Sequence, residues 1–289
     1  MPSREFPPVR ACIFDVDGLL INSEDIYTEI YNNVLRSCGS PLLTWGVKAR
    51  KQARGNQATL RLMKWLQVPI TLEEWNSKTA SYSELFRKSE LLPGVQDLLQ
   101  NLSQRSTMRM AVASSSKKAL FSVKTSHIPC IDAVFAPQYR VFGDDPDMSD
   151  ARKKPEPDIF LLALKRINAS LAPGEKEILP EECLVFEDAI AGVEAARKAG
   201  MRVVWVPHEG LLGVCQGWIE DVLNGRTEKE GEEVEPLAPR VVSDAGDGRH
   251  GKDCAKLLPW VSEDGWAECI ADLSRLDYER YAMQLEPKN

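Results

Sequence analysis

A four-residue apolar run, Ala11-Cys12-Ile13-Phe14, ends abruptly in Asp15-Val16-Asp17-Gly18. A short apolar run bounded by a turn signal reads as a strand buried on both faces, the kind found in parallel sheets covered by helices. Two carboxylates two residues apart then sit at the carboxyl end of a buried strand, where acidic side chains are rare unless paired or metal-bound. Gly18 frees the backbone to turn sharply and to approach a ligand closely. In open α/β sheets this end of a strand is where ligands bind. Taken alone, the pair is equally compatible with a surface turn, and the motifs downstream decide.

The rest of the chain supplies the elements for such a sheet. Ser23 reads as an N-cap, with Glu24 and Asp25 in the first turn. Ile26, Ile30 and Val34, flanked by Tyr27, Tyr31 and Leu35, carry a helix to Gly39. Helical patterning continues over Ala58–Leu66, Leu72–Trp75 and Thr79–Lys88 without a strand-like run, so residues 23–92 read as a helical cap domain inserted after strand one. From Pro93-Gly94 the alternation resumes. It runs through helix Val95–Gln104, strand Met108–Ala113, a weaker strand Ala133–Phe135 and helix Asp158–Asn168. Strand Cys183–Phe186, helix Ala191–Lys198 stopped by Gly200, and strand Arg202–Val206 follow. Strands separated by helices predict an α/β fold, a doubly wound parallel sheet with helices on both faces, built from residues 1–22 and 93–289. The charged, Gly-rich stretch Asn224–Asp253 reads as a mobile insertion loop.

Composition narrows the function. A formal charge of −7 over 289 residues argues against a nucleic-acid grip, which needs a basic face. No apolar run reaches membrane-spanning length. The seven cysteines (Cys12, Cys38, Cys130, Cys183, Cys215, Cys254 and Cys269) form no C-x-x-C pair, so buried reduced thiols are expected. With no apolar leader in Met1–Pro8, the expected location is the cytoplasm, the nucleus being compatible. Three histidines are too few for a His-based metal cage.

Three later stretches complete a constellation. Ser114-Ser115-Ser116-Lys117 follows a strand and leads into a helix, so its hydroxyls and free N–H groups make a phosphate cradle, with Ser116 read as facing solvent. The alternative for Ser114 is a plain helix cap. In Arg152-Lys153-Lys154-Pro155 the Pro pushes Lys154 toward an extended backbone and singles it out from a solvated basic patch. Phe186-Glu187-Asp188 puts two acids at another strand end, where they serve as metal ligands or as caps of the next helix.

Chemistry joins these residues. Hydrolysis of a phosphate monoester, among the slowest uncatalysed reactions, needs an aligned nucleophile, an acid for the leaving oxygen and cations for the equatorial oxygens. Asp15 can be the nucleophile, through an aspartyl-phosphate. Asp17 can protonate the leaving group and later deprotonate water. Mg²⁺ suits an all-oxygen site drawn from Asp15, Asp17, Glu187, Asp188 and a loop carbonyl. Lys154, Ser114 and Ser115 complete the phosphate clamp.

The order D-x-D-G, Ser/Thr, Lys-Pro, Glu-Asp resembles the haloacid-dehalogenase superfamily as far as about Val206. Asp17 aligns the chain with the phosphatases and phosphomutases of that superfamily, since the dehalogenases lack an acid there and use no Mg²⁺. The helices after strand one resemble its first type of cap. Phe14–Glu24, Gly143–Pro146, Val185–Gly192, Val204–His208 and Arg275–Tyr281 resemble the group of pseudouridine-5'-phosphatase-like proteins of fungi, cousins of β-phosphoglucomutase. The resemblance implies a small phosphorylated metabolite as substrate, a sugar phosphate or nucleotide-like monophosphate, first of all pseudouridine 5'-phosphate. It implies no nucleic-acid polymer, no membrane and no obligate protein partner. A β-phosphoglucomutase-like mutase and a catalytically idle binding protein are the alternatives. In the cap, Arg54 is either a substrate-reaching side chain or a solvated one beside Lys48 and Lys51, while Trp45, Trp65 and Trp75 read as cap packing.

Overall fold

A computed structural model describes residues 6–227, 235–239 and 258–283. Among the described residues seven strands form one sheet: β1 (Ala11–Phe14), β2 (Arg109–Ser114), β3 (Arg140–Phe142), β4 (Cys183–Glu187), β5 (Arg202–Trp205), β6 (Trp260–Val261) and β7 (Ala267–Cys269), in the spatial order β3-β2-β1-β4-β5-β7-β6. All neighbours are parallel except β6 and β7. β1 lies inside the sheet between β2 and β4, pairing Ile13 with Ala111 on one side and Phe14 with Phe186 on the other. The chain winds outward from it in both directions, so the carboxyl ends of β1, β2 and β4 flank the switch point of the topology.

Successive strand residues point to opposite faces, and the two faces gather separate cores. Ala11, Ile13, Ala111, Ala113, Val185 and Val203 face α8 (Asp158–Asn168), α9 (Ile190–Lys198), α10 (Glu209–Val214) and α11 (Ile219–Leu223). Cys12, Phe14, Val112, Leu184, Phe186 and Val204 face α5 (Val95–Ser103), α6 (Lys118–Thr125) and α7 (Pro129–Val134). On that side Phe14 stacks on Phe186, ring centroids 4.7 Å apart.

Between β1 and α5 the chain forms α1 (Ser23–Ser37), α2 (Trp45–Ala49), α3 (Gly55–Trp65), α4 (Leu72–Ser81) and a 3₁₀ turn at Ser83–Lys88. Ile26, Ile30, Tyr31, Val34, Leu62, Trp75 and Phe86 make a third core there. The two connections to the sheet run side by side: Asn22 N–H donates to the Glu90 carbonyl at 3.0 Å, and Glu90 N–H donates to Asn22 Oδ1 at 2.8 Å. That side-chain bond uses Asn22, which occupies the N-cap position of α1, while Ser23 is already helical. The capping role expected of Ser23 is therefore wrong, because its hydroxyl is spent elsewhere.

Other expectations change as well. The weak strand at Ala133–Phe135 is the end of α7, and the edge strand beside β2 is β3, a segment too short to show a period of two. The tail adds β6 and β7, equally short. Of the expected insertion loop, residues 228–234 and 240–253 lie outside the described residues. Its described part is docked: Leu237 is buried and its N–H donates to the Gly46 carbonyl at 2.9 Å. Trp45 packs outward from its own helical block, stacking on His208 with ring centroids 4.4 Å apart, whereas Trp75 packs inside the block as expected. Cys12 and Cys183 are buried thiols, Cys38 and Cys130 are half-buried ones, and Cys254 lies outside the described residues. Among the described residues no helix is long and apolar enough to cross a membrane.

Candidate active site

The end of β1 is built to hold a carboxylate still. Asp15 continues the ladder, its N–H donating to the Phe186 carbonyl at 3.0 Å. The chain then turns, with Gly18 N–H on the Ile21 carbonyl at 2.9 Å. Gly18 adopts φ +81°, and a Cβ there would lie 2.3 Å from Asp188 Oδ2. Only glycine meets both conditions, so the turn folds tightly over the end of β4.

Lys154 lies wholly buried beneath this turn. Its ammonium donates to Asp15 Oδ1 at 2.6 Å, to Glu187 Oε1 at 2.5 Å and to the Ala113 carbonyl at 3.1 Å. All three N–H bonds are thus used, and three strands are tied at one point. The neighbouring cations are elsewhere. Lys153 donates to the Gly143 carbonyl, and Arg152 pairs with Glu156 and Asp158 at the surface. Glu187 is held from behind as well, accepting from the backbone N–H groups of Asp188 (3.0 Å) and Ala189 (3.1 Å).

Asp17 is held by a different set. Its Oδ1 accepts from Ser23 Oγ at 2.7 Å and from Lys124 Nζ at 2.5 Å, and its Oδ2 accepts from Ser116 Oγ at 2.7 Å. Ser114 Oγ stands 3.5 Å from Oδ2 and accepts the Ser116 N–H at 3.1 Å. Ser116 therefore faces the site and not solvent. Ser115 is half-buried beside Gly143, whose added Cβ would strike the Ser115 carbonyl.

The electrostatics of the two aspartates differ. Burial pushes Asp15 up to about 7 against the pull of Lys154, with Glu187 and Asp17 adding to the rise. Burial also opposes ionisation of Asp17, but Lys124 and the Lys124, Ser23 and Ser116 hydrogen bonds bring it below its ordinary value. Asp188 is driven well above the carboxylate range by burial, then by Glu24, Glu187 and Asp15. Among the described residues its side-chain partner is Gln52, whose Nε2 donates to Oδ2 at 3.1 Å.

Among the described residues no three acidic, Cys or His side chains close into a ready-made metal cage. Asp15 and Glu187 turn to Lys154, and Asp17 turns to Lys124. The donor set nonetheless fits a hard cation. Asp15 and Asp188 are carboxylates raised by burial and by the acids around them, and their oxygens suit Mg²⁺.

Residues 9–200 match the model of the haloacid dehalogenase-like hydrolases. The chain belongs to that family. A probable pseudouridine-5'-phosphatase of Saccharomyces cerevisiae is 40% identical over 226 residues, covering 76% of this chain and 91% of the yeast protein. A phosphorylated carbohydrates phosphatase of Thermotoga maritima is 32% identical over 208 residues, covering 69% and 86%. The crystal structure of CbbY from Rhodobacter sphaeroides in complex with phosphate superposes with a TM-score of 0.54 at 23% identity, over 69% of this chain and 87% of that one, and shares its fold.

In this hydrolase the residues singled out by sequence converge: Asp15, Asp17, Ser114, Lys154, Glu187 and Asp188 all stand at the carboxyl ends of β1, β2 and β4 or in the loops beyond. Asp144 and Asp145 are turn acids, capping α6 through the Lys118 N–H and pairing with Arg166. Arg54 is neither solvated nor aimed at open space, since its side chain is buried 3.5 Å from Glu194 on α9.

Sequence reasoning missed Lys124, Glu24, Lys48 and Gln52. Glu24 passed for an ordinary first-turn acid. It is buried against Gly18 and paired with Lys48 at 2.8 Å, and that pair crosses from α1 to α2. Lys124 carried a signal: it falls on the apolar stripe of α6 with Phe121 and Thr125, where a lysine needs a partner.

Proposed function

We propose that this hydrolase is a Mg²⁺-dependent phosphomonoesterase that works through an aspartyl-phosphate on Asp15. Its place in the phosphatase branch rests on the family and on the relatives just described. The observation that carries the mechanism is the treatment of the two aspartates. Asp15 is locked by Lys154 and by the Val16 N–H, which lies 2.5 Å from Oδ2, at the mouth of the switch point. Asp17, two residues on, is held separately by hydroxyls and a second ammonium. A fixed carboxylate is suited to in-line attack on phosphorus. The second carboxylate is placed to give a proton to the leaving oxygen and to take one from the water that later releases phosphate.

Asp15, Asp188 and a loop carbonyl would hold Mg²⁺, whose charge neutralises the carboxylates and the phosphoryl oxygens. Glu187 fixes Lys154 from behind, and on phosphate binding one of the three Lys154 bonds passes to the phosphate, which Ser114 and Ser115 also cradle. The helical block of residues 23–88 serves as the cap, excluding bulk water when seated. The substrate is a small sugar phosphate or nucleotide-like monophosphate, with pseudouridine 5'-phosphate the first candidate because two relatives carry that activity in their names.

The test is phosphate release from pseudouridine 5'-phosphate, 2-deoxyglucose 6-phosphate, glycerol 3-phosphate, β-glucose 1-phosphate and several nucleoside monophosphates. Wild type and Asp15→Asn are compared, each with Mg²⁺ and with EDTA. Release that needs Mg²⁺ and is lost in Asp15→Asn is expected. Release undiminished in Asp15→Asn would refute the aspartyl-phosphate. Isomerisation of β-glucose 1-phosphate with added bisphosphate, in place of release, would turn the reading to a mutase.

A further inference from the structure

Lys124 is a second wholly buried ammonium in this molecule, and the phosphate clamp does not account for it. It stands in the last turn of α6 and spends all three N–H bonds: Asp17 Oδ1 at 2.5 Å, Tyr27 OH at 2.9 Å and Ser116 Oγ at 2.9 Å. Its charge also lies over the rings of Tyr27 and Phe86, 4.6 Å from each centroid. Tyr27 belongs to α1 and Phe86 to the 3₁₀ turn Ser83–Lys88, the elements that begin and end the helical block. The lysine therefore meets the catalytic turn and both ends of that block at one point.

A buried ion pair is a costly way to stabilise a fold, because apolar residues of similar volume do as well or better. What the pair does supply here is a fixed carboxylate. A carboxylate offers about four lone-pair positions. Lys124 and Ser23 take both positions on Oδ1 of Asp17. On Oδ2, Ser116 takes one and Ser114 stands at 3.5 Å, too far for a strong bond. Oδ2 is thereby the less fully held of the two oxygens.

We propose that Lys124 is a positioning residue: it fixes the orientation of Asp17, and through Tyr27 and Phe86 it makes that orientation depend on the seating of the helical block. The proposal rests on the reading of Asp17 as the acid for the leaving group. A misplaced acid harms esters whose leaving oxygen needs a proton and spares those whose leaving group departs as a stable anion.

The experiment compares kcat/KM of wild type, Lys124→Met, Asp17→Asn and the double variant. The substrates are two alkyl esters, pseudouridine 5'-phosphate and glycerol 3-phosphate, and one aryl ester, p-nitrophenyl phosphate. For Lys124→Met, kcat/KM on the alkyl esters should fall by about 10²-fold, and on the aryl ester by no more than about threefold. In the Asp17→Asn background the substitution should add nothing, as expected of a residue acting through Asp17. Equal losses on both ester classes, losses that multiply with Asp17→Asn, or no loss at all would overturn the proposal. If Lys124→Met does not fold, Tyr27→Phe, which withdraws one of the three acceptors, must show the same skew toward alkyl esters, and an even loss overturns the proposal too. Wild-type release that survives Asp15→Asn would instead refute the aspartyl-phosphate reading, so the two failures are distinguishable.

Discussion

Replacing Lys154 with Met removes the cation on which the site is centred while keeping most of the side-chain volume. Asp15 Oδ1 and Glu187 Oε1, 2.6 Å and 2.5 Å from the ammonium and both buried, would then face each other with nothing between them. Removing one partner of a buried ion pair costs about 3–5 kcal/mol. Both carboxylates keep backbone N–H partners, from Val16 and from Asp188 and Ala189. The lower end, about 3 kcal/mol, is therefore expected at neutral pH.

The sign of the pH dependence follows from Asp15. Burial already raises its carboxyl to about 7 with Lys154 pulling it down, and without Lys154 it goes higher. An acid whose folded value exceeds its unfolded value of about 3.9 favours the protonated fold, so stability is lost as pH rises toward the folded value. Urea denaturation of Lys154→Met against wild type should show a smaller deficit at pH 5 than at pH 8. Phosphate release at neutral pH should fall by at least about 10²-fold, the usual cost of losing one preorganised donor. A deficit below about 1 kcal/mol, or one equal at both pH values, would refute the reasoning that Lys154 is an internal counter-ion.

Three further outcomes are expected. Gly18→Ala should abolish most phosphate release and cost stability beyond the about 1–2 kcal/mol of a left-handed non-glycine residue, because the new methyl lies 2.3 Å from Asp188 Oδ2; urea denaturation and turnover measure both. Gly46→Ala places a methyl 2.2 Å from the Leu237 carbonyl, so amide exchange at Leu237, now bonded to Gly46, should accelerate while exchange in β1 and β4 stays slow. At Asp264, burial is outweighed by bonds from Arg197, Ser262 and Trp266, which hold the carboxyl below its ordinary value. Its contribution is present above the unfolded pKa and lost as pH falls through the folded one, so Asp264→Asn should flatten the acid side of the stability curve.

Much of this protein was legible in order along the chain. Ala11–Phe14 is apolar at every position, which only a strand covered on both faces explains, and α8 spans the expected Asp158–Asn168 because Pro157 precedes a clear 3.6-residue stripe. Strands of two or three residues such as β3, β6 and β7 have no period to read, and their pairing is decided by the sheet edge they meet. The acids of D-x-D-G and Glu-Asp were visible because a carboxylate at the end of an apolar run demands a partner. The partners themselves were less visible. Lys154 stood out through its Pro, but nothing near Lys124, 107 residues from Asp17, says which carboxylate it will meet.

Local sequence thus determined the longer strands, the main helices and the chemical type of each functional group, since periodicity, turn residues and side-chain ionisation act over a few residues. Only the tertiary structure decided which ammonium each aspartate meets: Lys154 for Asp15, Lys124 for Asp17. That choice depends on desolvation and on distances of a few ångströms between segments far apart in the chain, and both arise when the sheet and the helical block close together.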